Sequence, residues 1–321
     1  MKTILDIVKE RDNFPYQNIH TSEENVLNTE DLWIFLLPGD PRPHGYIESS
    51  TVKAMPWTED FQLIHSSTHK RVQLIADTTI AANEAISEVL QTAREKKLFN
   101  CLKGWRNEEY RILGARSDIK VERAGAGLFG IITIGVHMTV FTRLKSTGEI
   151  RIWVPTRSMT TTTYPGMLDS SVAGGVPVGV EPFECLVKEA AEEASLSEDL
   201  TRQNAKSVGC VSEFCAKDDG QLEPSVKYVY DMEIEEGVQP RPADSEVQEF
   251  RLTPVDEVKK NILGGMYKPM SAMVIIDFLV RHGILNVGNE KDYSEVVART
   301  HRLLPFPTSP DKTTGKTEGE S

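Results

Sequence analysis

The segment Gly174–Leu196, GGVPVGVEPFECLVKEAAEEASL, carries the most informative pattern in the sequence. It runs from a glycine-rich loop into a segment whose apolar residues recur at helical spacing. Pro182 suits the first turn of that helix, because a missing N–H costs nothing there. Glu189, Glu192 and Glu193 stand at i, i+3 and i+4, so their carboxylates converge on one patch. The sequence therefore predicts an amphipathic helix that carries three like charges and follows a glycine loop.

These three carboxylates favour a metal site. Like charges one helical turn apart repel each other, and a bound cation would remove that cost. Clustered oxygen ligands suit Mg²⁺, with Mn²⁺ as the alternative, and such ions clamp a diphosphate and activate a water. A solvated acidic helix face is the competing interpretation of the glutamates alone. The glycine loop in front of them favours the metal site.

The segment resembles the Nudix box, G-x5-E-x7-R-E-U-x-E-E-x-G-U, in which U is a large aliphatic residue. Glu189, Glu192 and Glu193 fall on the three metal-binding glutamates of that motif, and the resemblance implies that they hold Mg²⁺ and take part in catalysis. Lys188 replaces the motif arginine and is expected to supply a positive charge without the planar fork. Ser195 stands where glycine is usual.

The start of the box admits two alignments. Without a gap, Gly174 is the motif glycine and Val180 occupies the place of the first motif glutamate. With Gly175 as the motif glycine, Glu181 fits, but the spacing after it is one residue short. We favour the gap-free alignment. Either way, we expect both glycines to allow close approach to the box helix or to the substrate.

Segments outside the box resemble Nudix proteins related to isopentenyl-diphosphate isomerase. Together they resemble the fungal and plant group attached to, or related to, thiamine pyrophosphokinase: residues 43–47, 155–158, 164–175, 244–250 and 268–283. This resemblance implies metal-dependent attack of water on a diphosphate, and in this group the conversion of oxidised thiamine diphosphates to monophosphates. Two alternatives stay open: a nucleoside-diphosphate-linked substrate such as ADP-ribose, and a non-catalytic Nudix-fold module that binds a ligand. The isomerase resemblance would imply a catalytic cysteine in the segment before the box. Residues 164–173 contain no cysteine, so isomerase chemistry is discounted.

Two further polar residues are candidates for the site. Nudix enzymes often place another acidic residue after the box, and Glu246 is our choice as ligand or catalytic base; a solvated loop carboxylate is an equally good interpretation. Arg157 precedes the glycine loop and could donate to a phosphate with both arms of its guanidinium. A structural salt bridge explains it equally well. His137 and most of the tryptophans are expected to pack in the core.

Periodicity predicts an α+β fold. Helical spacing indicates helices, and alternation or apolar runs indicate strands: helices at 78–97 and 268–282, strands at 131–142, 150–154 and 226–234. The resemblance implies a Nudix α/β/α sandwich over residues 125–303. A smaller α+β domain over residues 1–120 would precede it and is a candidate for substrate specificity. Residues 304–321 are polar and rich in Pro, Gly, Ser and Thr, which predicts a disordered tail.

Composition limits the partners. Lys and Arg number 36 against 48 Asp and Glu, a net charge of −12. That balance argues against a nucleic-acid or anionic membrane surface, which needs a basic patch. No apolar run approaches the roughly 20 residues that span a bilayer, and the first residues lack the apolar core of a secretory signal. We therefore expect a cytoplasmic protein whose partner is a small-molecule diphosphate; the oligomeric state stays open.

Overall fold

The computed structural model describes residues 2–16, 32–66 and 70–310. The chain divides into two compact units. The box unit comprises Met1–Phe14, Ile134–Cys215 and Ser225–Leu303. The amino-terminal unit comprises Pro15–Thr133, Ala216–Pro224 and Leu304–Ser321.

The described helices are, in chain order, Ile4–Arg11 (α1), Ser49–Ala54 (α2), Thr79–Glu95 (α3), Ala126–Phe129 (α4), Pro182–Ala194 (α5), Glu198–Asn204 (α6), Val255–Leu263 (α7), Pro269–Arg281 (α8) and Tyr293–Thr300 (α9). The described strands are Leu32–Leu36 (β1), Pro43–Glu48 (β2), Phe61–His65 (β3), Lys70–Leu74 (β4), Glu109–Arg111 (β5), Lys120–Glu122 (β6), Thr133–Arg143 (β7), Ile150–Arg157 (β8), Val172–Gly175 (β9), Lys206–Ala216 (β10), Leu222–Glu233 (β11) and Val247–Pro254 (β12). No helix among these residues is long and apolar enough to cross a bilayer.

The amino-terminal unit is built on a four-stranded sheet in the order β2-β1-β4-β3. Strands β1 and β4 run parallel, and the other pairs are antiparallel. Helix α3 buries an apolar stripe at helical spacing, Ala82, Ala85, Ile86, Val89, Leu90 and Ala93. Its first turn is capped by Thr78, whose hydroxyl oxygen accepts a hydrogen bond from the Ala81 N–H. The predicted helix at 78–97 is therefore confirmed.

The box unit is an α/β/α sandwich around a sheet in the order β10-β11-β7-β8-β12, with β9 paired to the first half of β7. Neighbouring strand residues point to opposite faces. Val140 and Trp153 pack in a core with apolar residues of α5. Phe141 and Ile152 pack in a second core with α1, α7, α8 and α9. The predicted fold class is confirmed, as are the three predicted strands.

Helix ends in the box unit follow from backbone conformation. The predicted helix at 268–282 is observed as Pro269–Arg281, and Gly283 behind it has a φ of +67°. Helix α5 ends at Ala194, and Ser195 behind it also takes the left-handed conformation, with a φ of +53°. Glycine adopts this conformation without steric cost, whereas serine does not. The serine that departs from the motif therefore carries local strain.

The first helix belongs to the box unit, so the units do not follow the predicted boundary at residue 120. The carboxylate of Asp12, just after α1, accepts from Arg299 at 3.0 Å and from Arg302 at 2.9 Å. Apolar residues of α1, among them Ile7 and Val8, lie in the same core as α8. The sequence pattern gave no signal for this, because the partners of α1 lie at the other end of the chain.

The last described residues are packed, which differs from the predicted disorder of 304–321. Leu304 and Phe306 are buried, and the Phe306 ring lies 4.7 Å from the Tyr46 ring, edge to face. Two apolar side chains within a polar segment are enough to anchor it. Residues 311–321 lie outside the described part of the chain.

Candidate active site

The glycine strand and the box helix are in direct contact. Gly174 of β9 pairs with Val136 of β7 and faces α5. A Cβ at position 174 would lie 2.5 Å from Cγ of Glu189, closer than real atoms approach. Any larger residue at position 174 would therefore displace the Glu189 side chain, in line with the expected close approach to the box helix. Next to it, the Gly175 carbonyl accepts from the Cys185 thiol at 3.2 Å.

Glu193 is a buried carboxyl group of this region with a perturbed pKa. One of its oxygens accepts a hydrogen bond from the Ala173 N–H at 3.1 Å. Burial raises the pKa of Glu193 well above its usual range, and the charges of Glu189, Asp169 and Glu246 raise the pKa further against the opposing effect of the Ala173 N–H. Several negative charges thus converge on one buried carboxyl group. Perturbation of this kind is typical of functional sites.

Glu192 and Lys188 point away from this buried group. Their side chains are 54% and 70% exposed, and the Lys188 Nζ lies 3.8 Å from a Glu192 oxygen. Glu189 and Glu193, one turn apart, face β9 instead. The structure therefore brings two of the three predicted box glutamates against the strand and leaves the third paired with Lys188 at the surface.

Glu246 lies in the loop directly before β12, and its side chain is exposed. Its backbone is fixed at both ends: its N–H donates to Asp244 at 2.8 Å, and its carbonyl accepts from the Ser158 N–H at 2.8 Å. Its charge contributes to the raised pKa of Glu193. Glu246 thus lies near enough for its charge to act on the buried box glutamate.

Arg157 forms a structural ion pair. Its Nη1 donates to Asp169 at 2.8 Å, and its Nε and Nη2 donate to the Thr163 carbonyl. Of the two interpretations of Arg157 that the sequence allowed, the structure shows the salt bridge. An arginine held in this way has little guanidinium surface left for a phosphate.

Asp169 is a residue that sequence analysis missed. It is buried and accepts from Arg157, Lys268, Ser271 and the Ser170 N–H. Burial alone would raise its pKa, but Lys268, Ser271 and Arg157 outweigh burial and hold the pKa of Asp169 at about 2. The segment 164–175 contained this residue, but no spacing singles it out, because its partners come from β8 and α8.

His137 of strand β7 contacts Ser170, the residue after Asp169. Its Nδ1 lies 2.9 Å from the Ser170 hydroxyl, and burial lowers its pKa to about 3, with Lys268 acting in the same direction. The imidazole is therefore neutral near pH 7. The prediction that His137 packs in the core is confirmed, as it is for Trp153, whose indole N–H donates to Thr142.

The acidic residues fit a divalent cation by chemistry and charge. Carboxylate oxygens are the ligands that Mg²⁺ prefers, and a cation would relieve the repulsion around Glu193. Within the described residues, however, no group of three or more His, Cys, Asp or Glu side chains is gathered closely enough to form a ready metal site. Glu192 would have to leave Lys188 to join the set, and an exposed pair of this type contributes only about 0–1 kcal/mol.

Comparison with known proteins gives the family. The family model of the NUDIX domain matches residues 135–273, and a domain of unknown function, DUF4743, matches residues 23–133. The chain is 33% identical to the uncharacterised protein YJR142W of Saccharomyces cerevisiae, over 89% of this chain and 88% of that protein.

Two proteins of Arabidopsis thaliana are also similar. Nudix hydrolase 20, chloroplastic, is 37% identical over 63% of this chain and 53% of that protein. Nudix hydrolase 24, chloroplastic, is 32% identical over 75% of this chain and 66% of that protein. Residues 135–273 therefore form a Nudix domain, and the two Nudix hydrolases among the relatives support a hydrolase that acts on phosphoric anhydrides, a class that generally uses a divalent metal ion.

Proposed function

We propose that this protein removes the terminal phosphate of oxidised thiamine diphosphates in a reaction that needs Mg²⁺. The main support for a hydrolytic site is the buried carboxyl group of Glu193, on which the charges of Glu189, Asp169 and Glu246 act. Such a concentration of negative charge disfavours a bare diphosphate and favours one that arrives with its cation.

Each acidic residue has a role in this proposal. Glu189, Glu192 and Glu193 hold Mg²⁺, and Glu246 accepts the proton of the attacking water. The bound ion would supply charge neutralisation of the diphosphate and a more acidic water. Glu246 suits a base, because its side chain is exposed while its backbone is fixed by Asp244 and Ser158.

The backbone around these residues limits how far they can move. Gly174 lets Glu189 sit directly against β9, and Ala173 orients Glu193. Correct placement of reacting groups is itself a large part of a catalysed rate. The short strand β9 therefore acts as the frame on which the carboxylates are arranged.

The thiamine assignment rests on the resemblance of residues 43–47, 164–175, 244–250 and 268–283 to the thiamine-related group. Two of these segments supply groups described above: Asp169 comes from the second and Lys268 from the fourth. An oxidised cofactor differs from the intact one in a ring atom and in charge. A site that hydrogen-bonds one form rejects the other by orders of magnitude when its polar groups stay unpaired.

The experiment compares kcat/KM for oxidised thiamine diphosphate, thiamine diphosphate and ADP-ribose, with Mg²⁺ and with a chelator. We expect turnover only with the metal and the highest kcat/KM for the oxidised form. Equal or better turnover of ADP-ribose would refute the substrate assignment, while the hydrolase assignment would stand. Glu193→Gln serves as the inactive control.

A second candidate function is that of a ligand-binding module without turnover. The observation that favours it is the pairing of Glu192 with Lys188, which leaves the box glutamates dispersed. Titration calorimetry with the same diphosphates separates the two: binding without any metal-dependent phosphate release in a long incubation supports the module.

A further inference from the structure

Three exposed apolar side chains belong to segments whose backbones hydrogen-bond to each other or to residues of the carboxylate site. Met159 is 70% exposed, Met266 is 51% exposed and Tyr164 is 38% exposed. Met159 and Tyr164 belong to the loop 158–167, and the carbonyl of Met266 accepts from the N–H of Leu168, just after that loop. We call these three side chains the Tyr164 patch.

The loop that carries Met159 and Tyr164 is anchored to residues of the site at its start and at its centre. At its start, the Ser158 N–H donates to the Glu246 carbonyl at 2.8 Å. At its centre, the Thr163 carbonyl accepts from Arg157, which also donates to Asp169. The charges of both acidic residues reach Glu193. The Tyr164 patch therefore borders the place where the diphosphate would be held.

The loop is also hydrogen-bonded within itself and locally strained. Its own turns are hydrogen-bonded, from Thr161 N–H to the Ser158 carbonyl and from Met167 N–H to the Tyr164 carbonyl. Tyr164 has a φ of +51°, a left-handed conformation that is unfavourable for a bulky residue. Strain of this kind persists where the surroundings impose it, and it is concentrated at ligand-binding sites. A loop held in this way presents its aromatic ring to solvent at low entropic cost on binding.

We propose that the Tyr164 patch binds the flat heteroaromatic ring of the diphosphate substrate, with Tyr164 as the residue that sets specificity; this rests on the proposed function. A tyrosine face and the thioethers of two exposed methionines are soft, polarisable groups suited to a flat ring. If the ring carries a positive charge, the tyrosine face attracts it further. The patch binds the ring, and the carboxylates with their cation bind the diphosphate.

The test compares a substrate that has a ring with one that has none. We would measure kcat and KM for thiamine diphosphate and its oxidised form, and for methyl diphosphate, on the wild type, Tyr164→Ala and Tyr164→Phe. Loss of stacking should raise KM of the ring substrates about 5- to 100-fold in Tyr164→Ala. The KM of Tyr164→Phe for the ring substrates should stay within twofold of the wild-type value. The KM of every variant for methyl diphosphate should do the same. Val287→Ala, at another exposed apolar residue of the box unit, is the matched control.

Tyr164→Gly separates a ligand-binding role from a structural one. Glycine relieves the left-handed strain, so the melting temperature should hold or rise while the ring preference is lost. An equal rise in KM for the ring and the ringless substrates, or no rise for either, would overturn the proposal. Calorimetric binding of thiamine diphosphate to wild type and Tyr164→Ala keeps the test independent of turnover. A protein that hydrolyses none of the diphosphates refutes the proposed function, and equal affinity of the two proteins refutes the patch.

Discussion

At the scale of single residues, Glu193 gives the most direct test of the carboxylate site. Replacing it with Gln removes a buried carboxyl group whose charged form is opposed by burial and by three nearby negative charges. We therefore expect the metal-free Glu193→Gln protein to be at least as stable as the wild type, while kcat falls at least about 100-fold, since loss of even an outer partner of a metal ligand costs 10- to 100-fold. Thermal melting and steady-state kinetics at saturating Mg²⁺ check both parts.

A variant with wild-type kcat would show that Glu193 neither binds the metal nor touches the reaction. Asp256→Asn is a suitable control, because this acidic residue lies in the first turn of α7. It should leave kcat unchanged.

Ser195 offers a second prediction at this scale, one of stability alone. Its φ of +53° at the end of α5 is unfavourable for any residue with a Cβ. We expect Ser195→Gly to raise the free energy of unfolding by about 1 kcal/mol, measured by urea denaturation. Ser195→Ala keeps the Cβ and should give no gain. A destabilised glycine variant would mean that the serine hydroxyl compensates for the strain.

What the sequence could predict at this scale was decided by local spacing. Glu189, Glu193 and Gly174 stand in a fixed pattern along the chain, and they meet in space because a helix and an adjoining strand leave little choice. Asp169 has no such pattern. Its partners Arg157 and Lys268 come from β8 and the start of α8, so only the tertiary fold reveals it.

At the scale of secondary-structure elements, Asp169 lies just before β9 and pairs with Arg157 of β8 and with Lys268 at the start of α8. Removing its side chain leaves a buried arginine without its counter-charge, which costs about 3–5 kcal/mol. We expect Asp169→Ala to lose that much stability in urea denaturation. The double variant Asp169→Ala with Arg157→Met should recover part of the loss, because it removes the stranded charge as well.

The pH dependence of the same interaction follows from the sign of its pKa shift. The pKa of Asp169 is held at about 2, below its usual value of 3.8. The native state therefore binds fewer protons than the unfolded state between these two values, and the stability is present above pH 4 and lost as the pH falls toward 2. The stability difference between wild type and Asp169→Asn should shrink over that range. A difference that stays constant from pH 6 to pH 3 would contradict the assignment.

Helices and strands themselves were largely predictable, and the reason is periodicity. Apolar residues at helical spacing predicted α3 and α8, and alternation predicted β7 and β8. Strand β9 was not recognised as a strand, since Val172–Gly175 is short and ends in two glycines. It forms because β7 offers it a partner.

At the scale of the whole molecule, the first helix is predicted to stabilise the box unit. The Asp12 carboxylate is fully buried between Arg299 and Arg302. We expect Asp12→Ala to lower the free energy of unfolding by about 3–5 kcal/mol. Hydrogen exchange should show lost protection in α8 and α9, with α3 of the amino-terminal unit unchanged. Faster exchange in α3 instead would mean that the first helix supports the other unit.

The division into units is the part of the fold that sequence reasoning could not reach. The predicted boundary near residue 120 treats each domain as one continuous stretch of the chain. Here α1 joins residues at the opposite end of the chain, and Leu304 and Phe306 return to the amino-terminal unit. Contacts between distant segments leave no mark on local composition.

The buried pair between Asp12 and Arg302 has a consequence for synthesis on the ribosome. The two residues are 290 positions apart, and chains grow at about 5–20 residues per second. The first helix thus emerges roughly 15–60 s before its arginine partners exist. During that interval its apolar face, with Ile7 and Val8, has none of its native partners from α8 and α9. A nascent chain stalled before α8 should therefore be bound by chaperones at its first helix, and release of the full chain should end that binding.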